Sequence, residues 1–129
     1  MNHVKIRHIM IKKVVTVKGD TTAESVIRTL HNKHIGSVIV VDDEGRCEGI
    51  FTERDAIRMM AQKSSLSTLI QGVMTKNPFT IREDASFGEA ISIMASHGIR
   101  HLPVVDDNER LVGILSLRNF LDEIVGITR

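Results

Sequence analysis

Two four-residue segments, Thr52-Glu53-Arg54-Asp55 and Ser116-Leu117-Arg118-Asn119, each set a hydroxyl residue three positions before a carboxylate or a carboxamide. At a helix start this spacing supports two chemistries. The hydroxyl and the later side chain can cap the helix's own orphan N–H groups. Those same N–H groups and the positive end of the dipole can instead favour a phosphate, with a nearby carboxylate accepting both hydroxyls of a ribose. Asn119 accepts without charge, so its site is expected to hold a diol more weakly, because charged acceptors make roughly twofold stronger hydrogen bonds.

Arg100 and His101 form another candidate cluster just before an apolar run. Arginine grips phosphate through two parallel N–H bonds, and histidine adds a donor whose charge varies near neutral pH. The competing reading is a solvated strand-end arginine beside a histidine packed on the sheet. Arg54 and Arg118 lie within the two helix-start segments, where an anion contact and a solvated helix face explain them about equally well.

Other constellations carry less. Asp42-Asp43 and Asp106-Asp107 suit turns, where aspartate bonds its own backbone. His31 with His34, and His97 with His101, have metal-compatible spacing but no associated cysteine or HExxH context. Cys47 reads as an inert strand residue. There is no Walker loop, no GxGxxG and no nucleophile with recognisable partners, so enzyme activity is not expected.

The elements that must position these groups come in two copies. Val40-Val41-Asp42-Asp43 aligns with Val104-Val105-Asp106-Asp107 at an offset of 64 residues, and the match runs without a gap from Ile9 to Ile57. Two long copies are expected to bury their apolar faces on each other about a pseudo-two-fold axis. Within a copy, residues 14–17 and 78–81 read as short strands, Pro78 being tolerated at a strand start. Helices follow, with inward stripes of Ala23, Val26, Ile27, Leu30 and of Phe87, Ala90, Ile91, Met94, a Ser86/Glu89 capping box, and Gly36 and Gly98 as terminators. The runs SVIVVD and HLPVVD each pass through a turn into another strand, Pro103 implying an edge or bulge. A second helix then turns Ala56, Ile57 and Met60, or Phe120, Leu121 and Ile124, inward. The order is β-α-β-β-α twice, an α+β fold, with repeats over 7–61 and 72–127 and a serine-rich linker over 62–71.

The whole chain sets limits. Its 129 residues, 42% of them apolar, suit one compact module. Seventeen basic against sixteen acidic residues, with neither Tyr nor Trp, disfavour a nucleic-acid partner. One cysteine, no membrane-length apolar run and no secretory h-region point to a reducing, soluble compartment, most simply the cytoplasm.

VMTKNPFTIREDASFGEAISIMASHGIRHLPVVDDNERLVGILSLRNFL resembles a CBS domain, and residues 7 to 60 resemble its partner. Together they look like a CBS pair, or Bateman module, through MT-x-x-P, I-x-x-LPVVD and G-h-h-[ST]-x-x-[DN]. The resemblance implies a regulatory unit that binds an adenosine compound (AMP, ADP or ATP, or else S-adenosylmethionine) in clefts between the repeats. It requires no cofactor or metal. With no enzyme or transporter domain attached, it implies a sensor or accessory subunit that dimerises as a disk and acts on an unidentified protein partner. By the same resemblance Asp55 matches the ribose-binding acidic residue, Arg100 and His101 face the cleft, and the 14–17 and 78–81 segments, including Thr16, Pro78 and Thr80, line the adenine slot or serve as plain core. Gly36 and Ser37 stand where the second copy has Arg100 and His101, so the phosphate cations belong to one copy and the better ribose anchor to the other. The alternative is a constitutive dimerisation module with no physiological nucleotide.

Overall fold

The computed structural model describes residues 4–118 and residue 121. The chain forms two compact units: Val15–Pro78 is one, and the residues up to Val14 join those from Phe79 on to form the other. Each repeat is thus led by a segment that packs in the unit of the other repeat. The expected α+β architecture is present in both.

In the 15–78 unit the order is β1 (Thr16–Val17), α1 (Ala23–Lys33), β2 (Ser37–Val41), β3 (Cys47–Thr52), α2 (Glu53–Ala61) and, after a 3-10 turn at Ile70–Gly72, β4 (Thr75–Lys76). The sheet runs β1-β2-β3-β4, with β1 parallel to β2 and the other pairs antiparallel. Val38, Val40 and Phe51 from the sheet meet Ala23, Val26 and Leu30 of α1, Met59 of α2, and Ile70, which closes the core from the end of the serine-rich stretch. The near-continuous burial of β2 is what a strand covered on both faces requires.

The split unit repeats this plan with β5 (Ile81–Arg82), α3 (Phe87–His97), β6 (His101–Val105) and β7 (Leu111–Ser116) in the order β5-β6-β7. Leu117 and Arg118 begin a helix. Of the inner face expected for that helix, Phe120 and Ile124 lie outside the described residues, and Leu121 is exposed. Ile6, from the 3-10 turn Ile6–His8, fills the place that Ile70 has in the other core.

The duplication extends to the attachment of the leading segments. Met74 packs on Gly49, and Met10 packs on Gly113, where a Cβ would lie 2.6 Å from the sulfur. Glycine suits both places because a thioether occupies the space of its absent side chain.

Several expectations are corrected. Ile57 is 68% and Met60 82% exposed, while Asp55 and Met59 form the buried face of α2. The Thr52–Asp55 cap fixes the helix phase and turns positions 55 and 59 inward together. Ile91 is exposed on α3. Helix α1 ends at Lys33, and His34, not Gly36, takes the left-handed cap at φ 54°, where α3 uses Gly98 at φ 61°. Ser86 accepts the Glu89 N–H at 3.2 Å, the forward half of the expected capping box.

The parallel strand in the second copy starts one position late. Ile39 N–H donates to the Val15 carbonyl at 3.1 Å, but the residue equivalent to Ile39 is Pro103, which has no N–H. Pairing therefore begins at Ile81 with Val104, and Pro78, Phe79 and Thr80 precede the strand. Both β2 and β6 carry a register shift one step on, between Val40 and Val41 and between Val104 and Val105.

Candidate functional site

Within each unit, strand pairing brings several of the sequence-predicted residues to one corner of the sheet. In the 15–78 unit, Ser37 pairs with Thr52 across β2 and β3, and the Gly36 carbonyl accepts the Glu53 N–H at 3.1 Å. This delivers Thr52 to the N-cap of α2 with Asp55 one turn in. The capping box is complete: the Thr52 N–H donates to Asp55 Oδ2 at 2.8 Å, and the Asp55 N–H donates to Thr52 Oγ1 at 3.4 Å. The Thr52 hydroxyl also donates to Oδ2, at 3.2 Å. Asp55 is 5% exposed and is the one buried charged residue among those described.

Its other oxygen is taken as well. Arg58 Nη1 donates to Asp55 Oδ1 at 2.7 Å, while Arg58 Nη2 donates to the Val73 carbonyl at 2.9 Å. Burying a carboxylate is tolerable because hydrogen bonds and a counter-charge meet both oxygens. Arg58 went unpredicted, although an arginine three residues after an aspartate on a helix is a readable pairing signal. The Val73 contact had no such signal, since it depends on where the 70–76 segment packs. Arg54, on the same first turn, is exposed.

At the other corner, His101 pairs with Ser116 across β6 and β7, and the Arg100 carbonyl accepts the Leu117 N–H at 2.8 Å. That bond is the counterpart of the Gly36–Glu53 bond. Arg100 and Arg118 are exposed, and His101 and Ser116 are half-buried. Strand pairing thus brings Arg100, His101, Ser116 and Arg118 to one sheet end. Asn119 lies outside the described residues.

Three further predicted residues lie on or just ahead of the leading strands of the sheets. Thr16 is exposed on β1, and its neighbour in the ladder is Ile39, two rungs along from Ser37. Thr80 and Pro78 are half-buried ahead of β5. Phe79, between them, is exposed and stacks on His97 with ring centroids 3.8 Å apart.

The acidic turns do what the sequence predicts. Asp42 Oδ1 accepts the N–H groups of Glu44 and Arg46 at 2.9 Å each, and Asp106 Oδ1 accepts those of Asn108 and Arg110 at 2.8 and 3.0 Å. The Arg46 N–H in particular holds the Asp42 carboxyl below its usual range, and the Arg110 N–H does the same for Asp106. Each strand before α1 or α3 is pinned to its turn by an ion pair, Lys18 to Asp43 at 3.0 Å and Arg82 to Asp107 at 2.7 Å. No trio of metal-ligating side chains occurs among the described residues, and none of their helices is long and apolar enough to cross a membrane. A groove of about 530 Å³ between α1 and α2 has Ile27, Leu30, Ile35 and Ile57 along it, with His31, His34 and Glu53 as its polar lining.

Comparison with known proteins places the fold. A 17.7 kDa protein of Acidianus ambivalens is 31% identical over 123 residues, which span 95% of this chain and 74% of that one. The inosine-5'-monophosphate dehydrogenase of Methanocaldococcus jannaschii is 35% identical over 117 residues, 91% of this chain but only 23% of the enzyme. Among solved structures, the CBS domain pair of protein MJ0100, in complex with 5'-methylthioadenosine and S-adenosyl-L-methionine, superposes with a TM-score of 0.88 at 27% identity, covering 95% of this chain and 97% of that one. The CBS domain family matches residues 6–62 and 70–126, and with the two repeats observed above the chain belongs to that family as a tandem CBS pair.

Proposed function

We propose that this CBS pair is a regulatory module that binds an adenosine nucleotide, AMP, ADP or ATP, and passes its bound state to a partner protein. The observation that carries the reading is Asp55, a carboxylate held at a helix N-terminus by Thr52 in a chain similar to a CBS pair crystallised with two adenosine compounds. Asp55 accepts ribose hydroxyls, Thr52 and Ser37 border it, and Arg54 reaches toward solvent nearby. Arg100 and His101 supply phosphate donors, with Ser116, Arg118 and Asn119 around them. Thr16, Thr80 and Pro78 line the base slot. S-adenosylmethionine is the other ligand of this class.

In a homodimer, a second copy covers exposed apolar side chains of the helices, Ile57 and Met60 on α2 and Ile91 on α3. The cytoplasm, as a reducing compartment, suits the single half-buried cysteine.

One observation favours the alternative, a constitutive interaction module: Thr52, Asp55 and Arg58 already satisfy one another. Dye-monitored thermal unfolding against AMP, ADP, ATP, S-adenosylmethionine, NAD and GTP separates the two. A ligand present at one hundred times its Kd adds about 2.7 kcal/mol, a shift of several degrees for a domain of this size. The sensor reading expects an adenine-selective shift that Asp55→Ala reduces, by about 1 to 3 kcal/mol of affinity in calorimetry. It also expects Arg100→Ala to weaken AMP more than adenosine. Flat melting curves with every ligand would leave the interaction module standing.

A further inference from the structure

The guanidinium of Arg58 has two jobs. Through Nη1 it holds Asp55 Oδ1, and through Nη2 it holds the carbonyl of Val73. Val73 follows the 3-10 turn Ile70–Gly72 and belongs to the segment by which the chain leaves the 15–78 unit: Met74 packs on Gly49, Thr75 and Lys76 pair with β3, and the Asn77 N–H donates to the Glu48 carbonyl at 3.2 Å. After Pro78 the chain enters the other unit.

Resting on the reading of Asp55 as the ribose acceptor, we propose that Arg58 is a positioning residue that relays occupancy of Asp55 to the Val73–Asn77 segment. The physical basis is the shape of the side chain. A guanidinium is a rigid planar fork, so a constraint on one nitrogen constrains the other. A sugar hydroxyl is a neutral donor and does not displace the charged Nη1 from a carboxylate, since charge-assisted hydrogen bonds are roughly twice as strong. It adds to the remaining acceptor capacity of Oδ1 and fixes the carboxylate. The fixed carboxylate fixes Arg58, and Arg58 steadies the Val73 carbonyl. Ligand binding therefore orders the exit segment, and by linkage an ordered exit segment raises ligand affinity by the same factor.

Backbone hydrogen exchange at saturating AMP tests this. In the wild-type protein AMP slows exchange at the amides of Met74 to Asn77 by about fivefold or more, the lower end of typical couplings between sites. Arg58→Met removes that slowing while the amides of Glu53 and Arg54, beside the ligand, keep theirs. Arg58→Lys behaves like the Met variant, because a single ammonium lacks the two-nitrogen fork. It also keeps a cation next to Asp55, so it remains informative should the Met variant fold poorly.

An unchanged AMP response at Met74 to Asn77 in both variants overturns the relay. So does loss of AMP binding in variants that melt normally, which would make Arg58 a ligand contact instead. The underlying reading fails separately: if Asp55→Asn leaves AMP affinity untouched, or AMP does not bind the wild-type protein, the ribose assignment falls and the relay falls with it.

Discussion

The Thr52–Asp55 corner and the Arg100–Ser116 corner occupy equivalent places in a duplicated sequence, yet their polar groups are spent differently. In the first, a hydroxyl, a carboxylate and a guanidinium satisfy one another, and the carboxylate is buried. In the second, the backbone bond from Leu117 to the Arg100 carbonyl is kept while the Arg100 side chain stands in solvent. The scaffold beneath is the same in both copies: the methionine on its glycine, the turn carboxylate with two N–H groups, and the basic residue pinned across the turn. The difference teaches that duplication has preserved what builds the corner and released what the corner presents. A substitution in the shared scaffold is then expected to disturb stability in either copy. One in the presented groups is expected to disturb stability only where those groups also hold each other.

The largest effect is expected at the shared glycines, and it sharpens how equal the two scaffolds are. A Cβ on Gly113 meets the Met10 side chain and also the Ile11 carbonyl oxygen at 3.0 Å, a backbone atom that accepts the Ile114 N–H at 2.9 Å. That oxygen cannot swing aside without losing its bond. On Gly49 the nearest atoms all belong to the Met74 side chain, which is unbranched and can change rotamer. Gly113→Ala is therefore expected to cost about 1–3 kcal/mol as an overpacking substitution, and Gly49→Ala less. Denaturant unfolding of the two variants decides it; equal costs, or the reverse order, would mean that Met10 and Met74 control the outcome and the Ile11 backbone does not.

A smaller effect tests the corners themselves. Asp55→Ala removes the reciprocal half of a helix cap and leaves Arg58 without its carboxylate, so a loss of about 1 kcal/mol is expected. Arg100→Ala removes an exposed side chain at a strand end and is expected to stay within about 0.5 kcal/mol of wild type. The comparison breaks if Arg100→Ala proves the more destabilising in the same chemical unfolding assay, for the Arg100 side chain would then be held more firmly than the Asp55 carboxylate.

Much of this scaffold was legible because it depends on local rules. The gapless match at offset 64 announced two copies, alternating strand and helix patterns announced their order, and a hydroxyl three residues before Asp55 announced the cap. What was not legible depends on long-range placement. Apolar Ile57 and Met60 read as an inner face by periodicity, but the cap at Thr52 set a different phase, and a charged residue took the inward position. Gly36 read as a helix stop, although the left-handed cap fell on His34, where the helix runs out one residue after Lys33. Pro103 in the sequence signals an edge or bulge. Its sharper consequence, the late start of β5, required knowing that Ile39 donates to Val15 in the other copy. The Arg58 bridge to Val73 joins residues fifteen apart whose proximity comes from an exit segment folding back on its own sheet.

The smallest expected effect asks whether the two acidic turns remain equivalent in solution. Hydrogen bonds from the backbone N–H groups of Arg46 and Arg110 hold the carboxyls of Asp42 and Asp106 below the ordinary value of 3.8. A carboxylate whose pKa is lower in the folded than in the unfolded state stabilises the fold fully above the unfolded value. That stabilisation fades as pH falls through the folded value. Melting temperature should therefore be insensitive to these two groups near neutral pH and should fall below about pH 4. Asp42→Asn and Asp106→Asn should each flatten that acid decline by a similar amount, since each turn carboxylate accepts the same pair of backbone donors. If one substitution flattens the decline and the other leaves it unchanged, the equivalence stops at the strands, and the turns have diverged along with the corners.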